Sequence, residues 1–366
     1  MVAGGDLISL TESGLFCAAG NFYIDPWGPV DRAIITHAHS DHARPGSKAY
    51  LTVNEGIGVL RARLGQDAPI EGVRYGESVT MGDAKVALLP AGHVLGSSQV
   101  RISSHGQVWV VSSDYKLGQD RTCEHFALVK CNTFITESTF GLPIYRWRPD
   151  REIFDEINNW WSTNRDAGKC SIIFGYALGK AQRILAGLDP SIGPIYTHGA
   201  VERLTHEYRA AGKLLPDTIH AGSLSRGTKF GGSLILAPPS AQGTPWMRQF
   251  GTVSTAFASG WMRIRGTRRR KSVDKGFVLS DHADWDALNK VIRDTGAERI
   301  IVTHGYTAEM VRWLRENGLQ AESLATRFEG ELAEMQPDSA QEPQEQDESA
   351  AAAVETSTDS QEDSSA

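Results

Sequence analysis

Four residues near the start of the chain have the types and spacing of metal ligands. They are His37, His39, Asp41 and His42, in the order His-x-His-x-Asp-His. Imidazole and carboxylate groups bind zinc, manganese and iron. Because alternate residues of an extended segment point the same way, His37 and His39 are expected to bind one ion, while Asp41 and His42 turn toward a second. Histidine is scarce, with 11 in 366 residues, so the cluster favours a metal site over a solvated polar loop.

Two metal ions need more ligands than this loop provides. His93 lies in a glycine-rich turn, and Asp114 follows an apolar run and has two oxygens, enough to bridge both ions. Taken alone, a buried His or Asp more often has a structural role. Their order and spacing after the first four residues favour metal ligation instead.

Short apolar, β-rich runs precede the candidate residues in the same way six times. The runs are 33–35 before His37, 86–89 before His93, 108–111 before Asp114, 133–135 before Glu137, 277–279 before His282 and 300–302 before His304. Each run is typical of a buried strand. Ionisable residues at successive strand ends are therefore expected to converge on one sheet edge.

The middle of the chain differs and alternates between helix and strand. Helices are predicted over 151–164 and 180–188, with a strand over 171–174, and a last helix over 308–317. The predicted domains are therefore a catalytic domain in two parts, 1–148 and 261–335, with residues 149–260 inserted between them.

The net charge of −7 is concentrated at one end. Residues 336–366 hold nine acidic residues and no Lys or Arg, so residues 1–335 have a formal charge of +2. This tail has few large apolar residues and is predicted to be disordered. Scattered cysteines, no long apolar stretch and no signal-peptide pattern predict a cytoplasmic protein with no membrane contact.

The first four ligands, followed by His93 and Asp114, resemble the metallo-β-lactamase superfamily, which implies a four-layer αββα fold. Segments 136–140, 280–284 and 303–305 look like the A, B and C motifs of its β-CASP nucleases, and 176–182 and 258–262 also fit. That branch includes the mRNA 3′-end endonuclease, ribonuclease J and Artemis-like DNA nucleases. The resemblance covers about residues 1–330. The small β-CASP-like insert looks most like that of the bacterial ligase-associated DNA exonucleases.

The resemblance also implies roles for single residues. A first divalent ion would be bound by His37, His39, His93 and Asp114, and a second by Asp41, His42, Asp114 and His304. Zinc is the expected ion and manganese the alternative. A hydroxide activated by the two ions, with Asp41 in the catalytic set, would attack phosphorus. Glu137 and His282 would form a pair in which His282 protonates the leaving oxygen; by itself, His282 would more often be a structural residue.

A basic stretch precedes the run that leads to His282. We predict that Arg263, Arg265, Arg268, Arg269 and Arg270 contact a nucleic-acid backbone, with a solvated loop as the alternative. Lys180 is added to this group. It follows Gly179 at a predicted helix start, where a phosphate can bind, although the segment is one residue too short for a P-loop.

The sequence as a whole predicts a metal-dependent nuclease, specifically a DNA exonuclease that acts in repair beside a ligase and a helicase. An RNA nuclease of the same branch is the first alternative. A small-molecule hydrolase, such as a thioesterase or lactonase, is the second. A non-catalytic scaffold subunit is the third, which the complete ligand set disfavours.

Overall fold

The computed structural model describes residues 6–225 and 227–328. The strands are β1 (Ser9–Thr11), β2 (Gly14–Cys17), β3 (Phe22–Ile24), β4 (Ala33–Ile34), β5 (Tyr50–Val53), β6 (Ile70–Val73), β7 (Ser78–Met81), β8 (Ala84–Pro90), β9 (Ser98–Ser104), β10 (Gln107–Val111), β11 (Thr133–Ser138), β12 (Cys170–Phe174), β13 (Ile195–Thr197), β14 (Ile219–His220), β15 (Leu234–Ala237), β16 (Val253–Ala258), β17 (Lys275–Phe277), β18 (Arg299–Gly305) and β19 (Gln320–Ser323). The helices are α1 (Ile57–Leu64), α2 (Asp150–Asp166), α3 (Lys180–Gly187), α4 (Gly199–Ala210), α5 (Arg265–Arg270), α6 (Trp285–Thr295) and α7 (Thr307–Glu316).

Two mixed sheets pack face to face and enclose the main apolar core. The first has the order β1-β2-β3-β4-β5-β6, and the second has the order β19-β18-β11-β10-β9-β8-β7. Phe22 and Ile24 of the first sheet share one buried cluster with Val100 and Ile102 of the second. Side chains alternate between the two faces of a strand, so each sheet has a second apolar face that needs its own cover.

Helices cover these outer faces. Leu288 of α6 and Leu314 of α7 pack on Phe134 and Ile300 of the second sheet, while α1 and α4 pack on β4 and β5 of the first. The layers therefore follow the order helix, sheet, sheet, helix. This arrangement confirms the predicted α/β class.

A third sheet is built from the middle of the chain and is parallel throughout. Its order is β14-β13-β15-β12-β16-β17. Helices α2 and α3 pack on one face. Parallel strands joined by helices have apolar residues on both faces, and every residue of β12 and β15 is buried.

One predicted strand lies elsewhere than expected. The run 277–279 was assigned to the catalytic part, but the strand is β17, at the edge of the third sheet. Its Phe277 packs against Trp160 of α2, with ring centroids 5.7 Å apart. The third sheet thus extends past residue 260, and the division of the chain into domains stays a prediction.

The other predicted elements agree with the structure. The runs before His37, His93, Asp114, Glu137 and His304 are strands β4, β8, β10, β11 and β18. The predicted helices correspond to α2, α3 and α7 within two residues at each end. The acidic tail, Gln336–Ala366, lies outside the described residues. Within the described ranges, no helix is both long and apolar enough to cross a membrane.

Candidate metal centre

Strand ends of the first two sheets bring the predicted ligands together. His37 and His39 follow β4, His93 follows β8, Asp114 follows β10, and His304 lies within β18. The turn before His93 requires glycine, since Gly92 has φ +76° and a Cβ there would lie 2.2 Å from the carbonyl oxygen of Lys116. The backbone of this turn therefore packs directly on the chain that follows Asp114.

Four ligand atoms form a compact cluster. Nδ1 of His39 lies 3.1 Å from Nε2 of His37 and 3.1 Å from Nε2 of His93. Oδ2 of Asp114 lies 3.5 Å from Nε2 of His37 and 3.8 Å from Nε2 of His93. A tetrahedral zinc ion with bonds of about 2.0–2.1 Å separates its ligands by about 3.3–3.4 Å. The four distances lie on either side of this value, and all four atoms lie within 4.8 Å of one another, which is compatible with one shared ion.

The hydrogen bonds on the far side of each ring show why these atoms suit a cation. His93 Nδ1 lies 2.9 Å from the carbonyl oxygen of Asp281, and His39 Nε2 lies 3.2 Å from that of Leu178. A carbonyl only accepts, so both of these nitrogens carry the proton. Nε2 of His93 and Nδ1 of His39 then present lone pairs to each other at 3.1 Å. A metal ion bound by both nitrogens would replace this repulsion with coordination.

His37 also directs an unprotonated nitrogen into the cluster. The hydroxyl of Thr36 donates to the carboxylate of Asp25 at 2.5 Å, so its oxygen accepts from Nδ1 of His37 at 3.1 Å. Nε2 of His37 is therefore a third lone pair directed into the cluster. Burial, the largest influence, lowers the pKa of His37, His39 and His93. All three imidazoles are thus held in the neutral form that binds metals.

A second group of candidate ligand atoms also lies around the carboxylate of Asp114. Nε2 of His304 lies 2.9 Å from Oδ1 of Asp114. Nε2 of His42 lies 3.5 Å from Oδ2 of Asp41 and 3.7 Å from Oδ2 of Asp114. Among the described residues, this Nε2 is buried and has no hydrogen-bond partner. An unpartnered buried nitrogen beside two carboxylates fits a second cation, with Asp114 between the two groups.

The carboxylates around His42 also favour a cation at this position. Burial acts to lower its pKa, but the carboxylates of Asp41, Asp114 and Asp25 outweigh burial and raise it to about 10. The surroundings therefore favour positive charge at this position. A divalent ion would supply that charge in place of the proton.

Glu137 and His282 form a hydrogen-bonded pair beside the cluster. Nδ1 of His282 lies 2.9 Å from Oε2 of Glu137, and both residues are buried. The other oxygen, Oε1, accepts from the backbone N–H of Tyr115 at 2.8 Å, which fixes the carboxylate. Carboxylate and imidazole atoms of Asp114, Glu137 and His282 also lie within 4.8 Å of one another. The pair is therefore close enough to the candidate metal centre to act on the same substrate.

Sequence reasoning missed two residues that contact the ligands. Oδ2 of Asp25 lies 2.8 Å from Nδ1 of His42, and the ring of Phe328 stacks on that imidazole with centroids 4.4 Å apart. Asp25 follows a buried strand, β3, as the other candidates follow theirs, so the same pattern contains the signal for it. Phe328 carries no such signal, because only the fold brings it to His42.

The predicted basic contacts fall into two groups. Among the described side chains, those of Arg263, Arg265, Arg269 and Arg270 are exposed. Arg268 lies in α5 with its neighbours. An aromatic cluster connects this stretch to the centre, because Phe140 contacts both His282 and Trp261, with centroids 6.0 and 4.7 Å apart. Trp261 lies two residues before Arg263.

The position of Lys180 differs from the one that the sequence predicts. Its side chain is 0% exposed, and its ammonium pairs with the carboxylate of Asp281 at 3.0 Å. A buried, paired ammonium is not presented to a phosphate in solvent. The prediction that Lys180 contacts a nucleic-acid backbone is therefore wrong for this structure.

Comparison with known proteins finds relatives by sequence and by structure, of which three sequences and one structure are described here. No protein-family model matches the chain. The chain is 28% identical over 322 residues to a "Probable DNA ligase" of Opitutus terrae, covering 87% of this chain and 31% of that protein. It is 28% identical over 213 residues to an RNase J-like protein of Methanocaldococcus jannaschii, covering 49% and 50%. It is 34% identical over 122 residues to cleavage and polyadenylation specificity factor subunit 3 of Dictyostelium discoideum, covering 33% and 16%.

The chain thus spans about a third of the ligase and half of the RNase J-like protein. A solved structure of a protein of unknown function from Enterococcus faecalis has a similar fold, with a TM-score of 0.55, 12% identity and coverage of 81% of this chain and 79% of that one. The sequence relatives support the superfamily and branch that the motifs resemble. By sequence, the chain is similar to the β-CASP nucleases of the metallo-β-lactamase superfamily.

Proposed function

We propose that this protein is a metal-dependent nuclease that hydrolyses phosphodiester bonds. The observation that carries the proposal is the convergence of three imidazole lone pairs and the Asp114 carboxylate, with the Glu137–His282 pair beside them. A metal-binding cluster alone suits many hydrolases. The adjoining carboxylate–imidazole pair adds the means to protonate a poor leaving group.

The residues present fit two divalent ions. His37, His39, His93 and Asp114 would hold the first, and Asp41, His42, Asp114 and His304 the second. Two such ions supply a water of lowered pKa and stabilise charge on the phosphate oxygens. Zinc suits this set of imidazoles and carboxylates, and manganese is the alternative.

His282 has the geometry of a general acid. Because Glu137 holds Nδ1, proton transfer to substrate would run through Nε2. A carboxylate partner stabilises the charged imidazolium and fixes the orientation of the ring. Donation to the departing sugar oxygen would then be worth about 10²–10⁴ in rate.

DNA is the proposed substrate, in an exonuclease reaction coupled to ligation. Support comes from the relative named as a ligase, whose matching segment is only 31% of its length. A nuclease-like segment within a ligase polypeptide would keep the two activities at high effective concentration. By analogy, a ligase, and a helicase of the same repair pathway, are the proposed partners of this chain.

RNA is the alternative substrate, favoured by the relatives named as RNase J-like and as a cleavage and polyadenylation factor. The exposed arginines near the centre suit either polymer, because phosphate contacts carry no sequence or sugar information. The choice between DNA and RNA therefore rests on direct comparison.

The test is cleavage of matched substrates by the purified full-length protein. Single-stranded DNA, duplex DNA and RNA of one sequence would be labelled at either end and incubated with zinc or manganese. We expect metal-dependent shortening of DNA from one end, and no cleavage by Asp114→Ala prepared in the same way. Faster cleavage of RNA would replace DNA with the alternative substrate. Hydrolysis of thioesters or lactones with no cleavage of any nucleic acid would contradict the proposed function.

A further inference from the structure

Three buried cations lie behind the candidate metal centre. Lys180 and Arg183 come from α3, and Lys116 follows Asp114 by two residues. Their exposed fractions are 0%, 2% and 4%. Burying three charges is expensive unless each one is paired and hydrogen-bonded. Three carboxylates form ion pairs with these cations. Asp281 lies 3.0 Å from Lys180 and 2.8 Å from Arg183. Asp120 lies 2.8 Å from Arg183, and Asp150 lies 2.9 Å from Lys116.

All three cations also donate to one short piece of backbone. Lys180 Nζ donates to the carbonyl of Leu279 at 3.1 Å. Arg183 Nη1 and Lys116 Nζ both donate to the carbonyl of Ser280, at 2.7 and 2.9 Å. The segment Leu279–Asp281 lies in neither a strand nor a helix. Its carbonyls are therefore held by side-chain cations rather than by a sheet ladder.

The same segment holds two functional histidines. The carbonyl of Asp281 accepts from Nδ1 of His93 at 2.9 Å, which fixes the tautomer of this metal ligand. His282 is the next residue, and its backbone N–H donates to the hydroxyl of Ser280 at 3.1 Å. A shift of Leu279–Asp281 would therefore move a metal ligand and the candidate acid together.

We infer that Lys116, Lys180 and Arg183 are positioning residues that hold Leu279–Asp281 and, through it, His93 and His282. This inference rests on the proposed function for the role of His282. Two of the three cations lie on α3, which packs on the third sheet, so that sheet takes part in orienting the metal centre. Partners that orient metal ligands typically contribute about 10–100-fold to affinity or activity.

Substitution of Arg183 gives the most direct test of this positioning role. Its planar guanidinium reaches Ser280, Asp281 and Asp120 at once, whereas a lysine ammonium keeps the charge without the fork. The variants are Arg183→Lys, Arg183→Met and Lys180→Met. The matched control is Arg209→Met in α4, which removes a half-buried ion pair with Glu202, 3.5 Å away, and hydrogen bonds to Pro216 and Thr218 outside the segment.

Three quantities would be measured on each variant: zinc affinity by competition with a chelator, and kcat and KM for nucleic acid. We expect Arg183→Met and Lys180→Met to lower zinc affinity and kcat by about 10–100-fold with little change in KM. Arg183→Lys should recover part of both losses, and Arg209→Met should resemble the wild type.

Three results would overturn the inference. Unchanged zinc affinity and kcat would show that the cluster has no positioning role. A raised KM with unchanged kcat would return Lys180 to the substrate-binding role that the sequence predicts, and would give Arg183 the same role. If Arg183→Met fails to fold, a folded Arg183→Lys with wild-type zinc affinity and kcat gives the same negative answer. Wild-type protein that cleaves no nucleic acid would refute the proposed function instead, and zinc affinity would still decide whether the cations position His93.

Discussion

The far-side partner of each imidazole determines which nitrogen can bind a metal ion. Leu178 fixes the proton on His39, Asp281 fixes it on His93, and Asp25 faces Nδ1 of His42. Such partners also raise the basicity of the ligand. The candidate site therefore consists of the ligand side chains and of the backbone carbonyls and carboxylate that orient them.

The sequence predicts the candidate ligands better than the groups that orient them. The spacing His37-x-His39-x-Asp41-His42 is local, so the type of chemistry can be inferred from it directly. The partners of these rings are distant in the chain and are set by the fold: His93 meets Asp281 and His39 meets Leu178. Backbone carbonyls carry no residue signature, so no pattern of residue types points to them.

The acid role proposed for His282 predicts a dependence on the leaving group. A sugar 3′ oxygen leaves as a basic alkoxide and needs a proton, whereas a nitrophenolate does not. His282→Ala should therefore lower DNA cleavage by about 10²–10⁴ and lower hydrolysis of bis-nitrophenyl phosphate far less. Kinetics on both substrates, with metal content measured on the same samples, check this prediction.

The matched variant is Glu137→Gln, which keeps a hydrogen-bonding side chain 2.9 Å from Nδ1 but removes the charge. It should show the same pattern in a milder form. Equal losses on both substrates with metals retained would exclude the acid role. Loss of a metal from His282→Ala would identify His282 as a ligand.

At the scale of elements, long amphipathic helices were predictable and one short strand was misplaced. The apolar periodicity of α2 and α7 locates them closely, because their buried residues recur at helical spacing, as Ile153, Ile157 and Trp161 do in α2. A run of three apolar residues, such as 277–279, has no period that tells which sheet it joins. Phe277 instead completes the face of the third sheet that α2 covers.

Helix α5 is the element proposed to bind the phosphate backbone. Changing Arg268, Arg269 and Arg270 together to alanine should weaken DNA binding and flatten its dependence on salt, because fewer counterions are released. Binding measured across a salt series checks this. The control removes three arginines from other helices: Arg61, Arg293 and Arg312. An unchanged salt slope in the α5 variant would make this stretch an ordinary solvated surface.

At the scale of the whole molecule, the last described residues pack on the candidate metal centre. Thr326 donates to the carbonyl of Thr303 at 3.1 Å, and Phe328 stacks on His42. Packing of this kind shields His42, a candidate metal ligand, from water. The acidic tail begins beyond it, and its composition offers little surface to bury.

Two truncations should therefore behave differently. Deleting Gln336–Ala366 should leave the melting temperature and the turnover of short DNA nearly unchanged. Deleting from Thr326 onward should lower metal affinity, because His42 loses its stacking partner. Thermal melting and chelator competition on both proteins check this. If the protein that lacks only Gln336–Ala366 unfolds, the tail has a structural role.

The central claim is a pair of metal ions that share Asp114, and counting the metals tests it most directly. Purified protein would be equilibrated with zinc or manganese, freed of excess metal and analysed for metal per chain, with activity measured on the same sample. We expect two ions per active wild-type chain. Asp114→Ala should lose metal from both ligand groups, since its two oxygens lie beside His37 and His304. One ion or none in fully active wild-type protein would contradict the account.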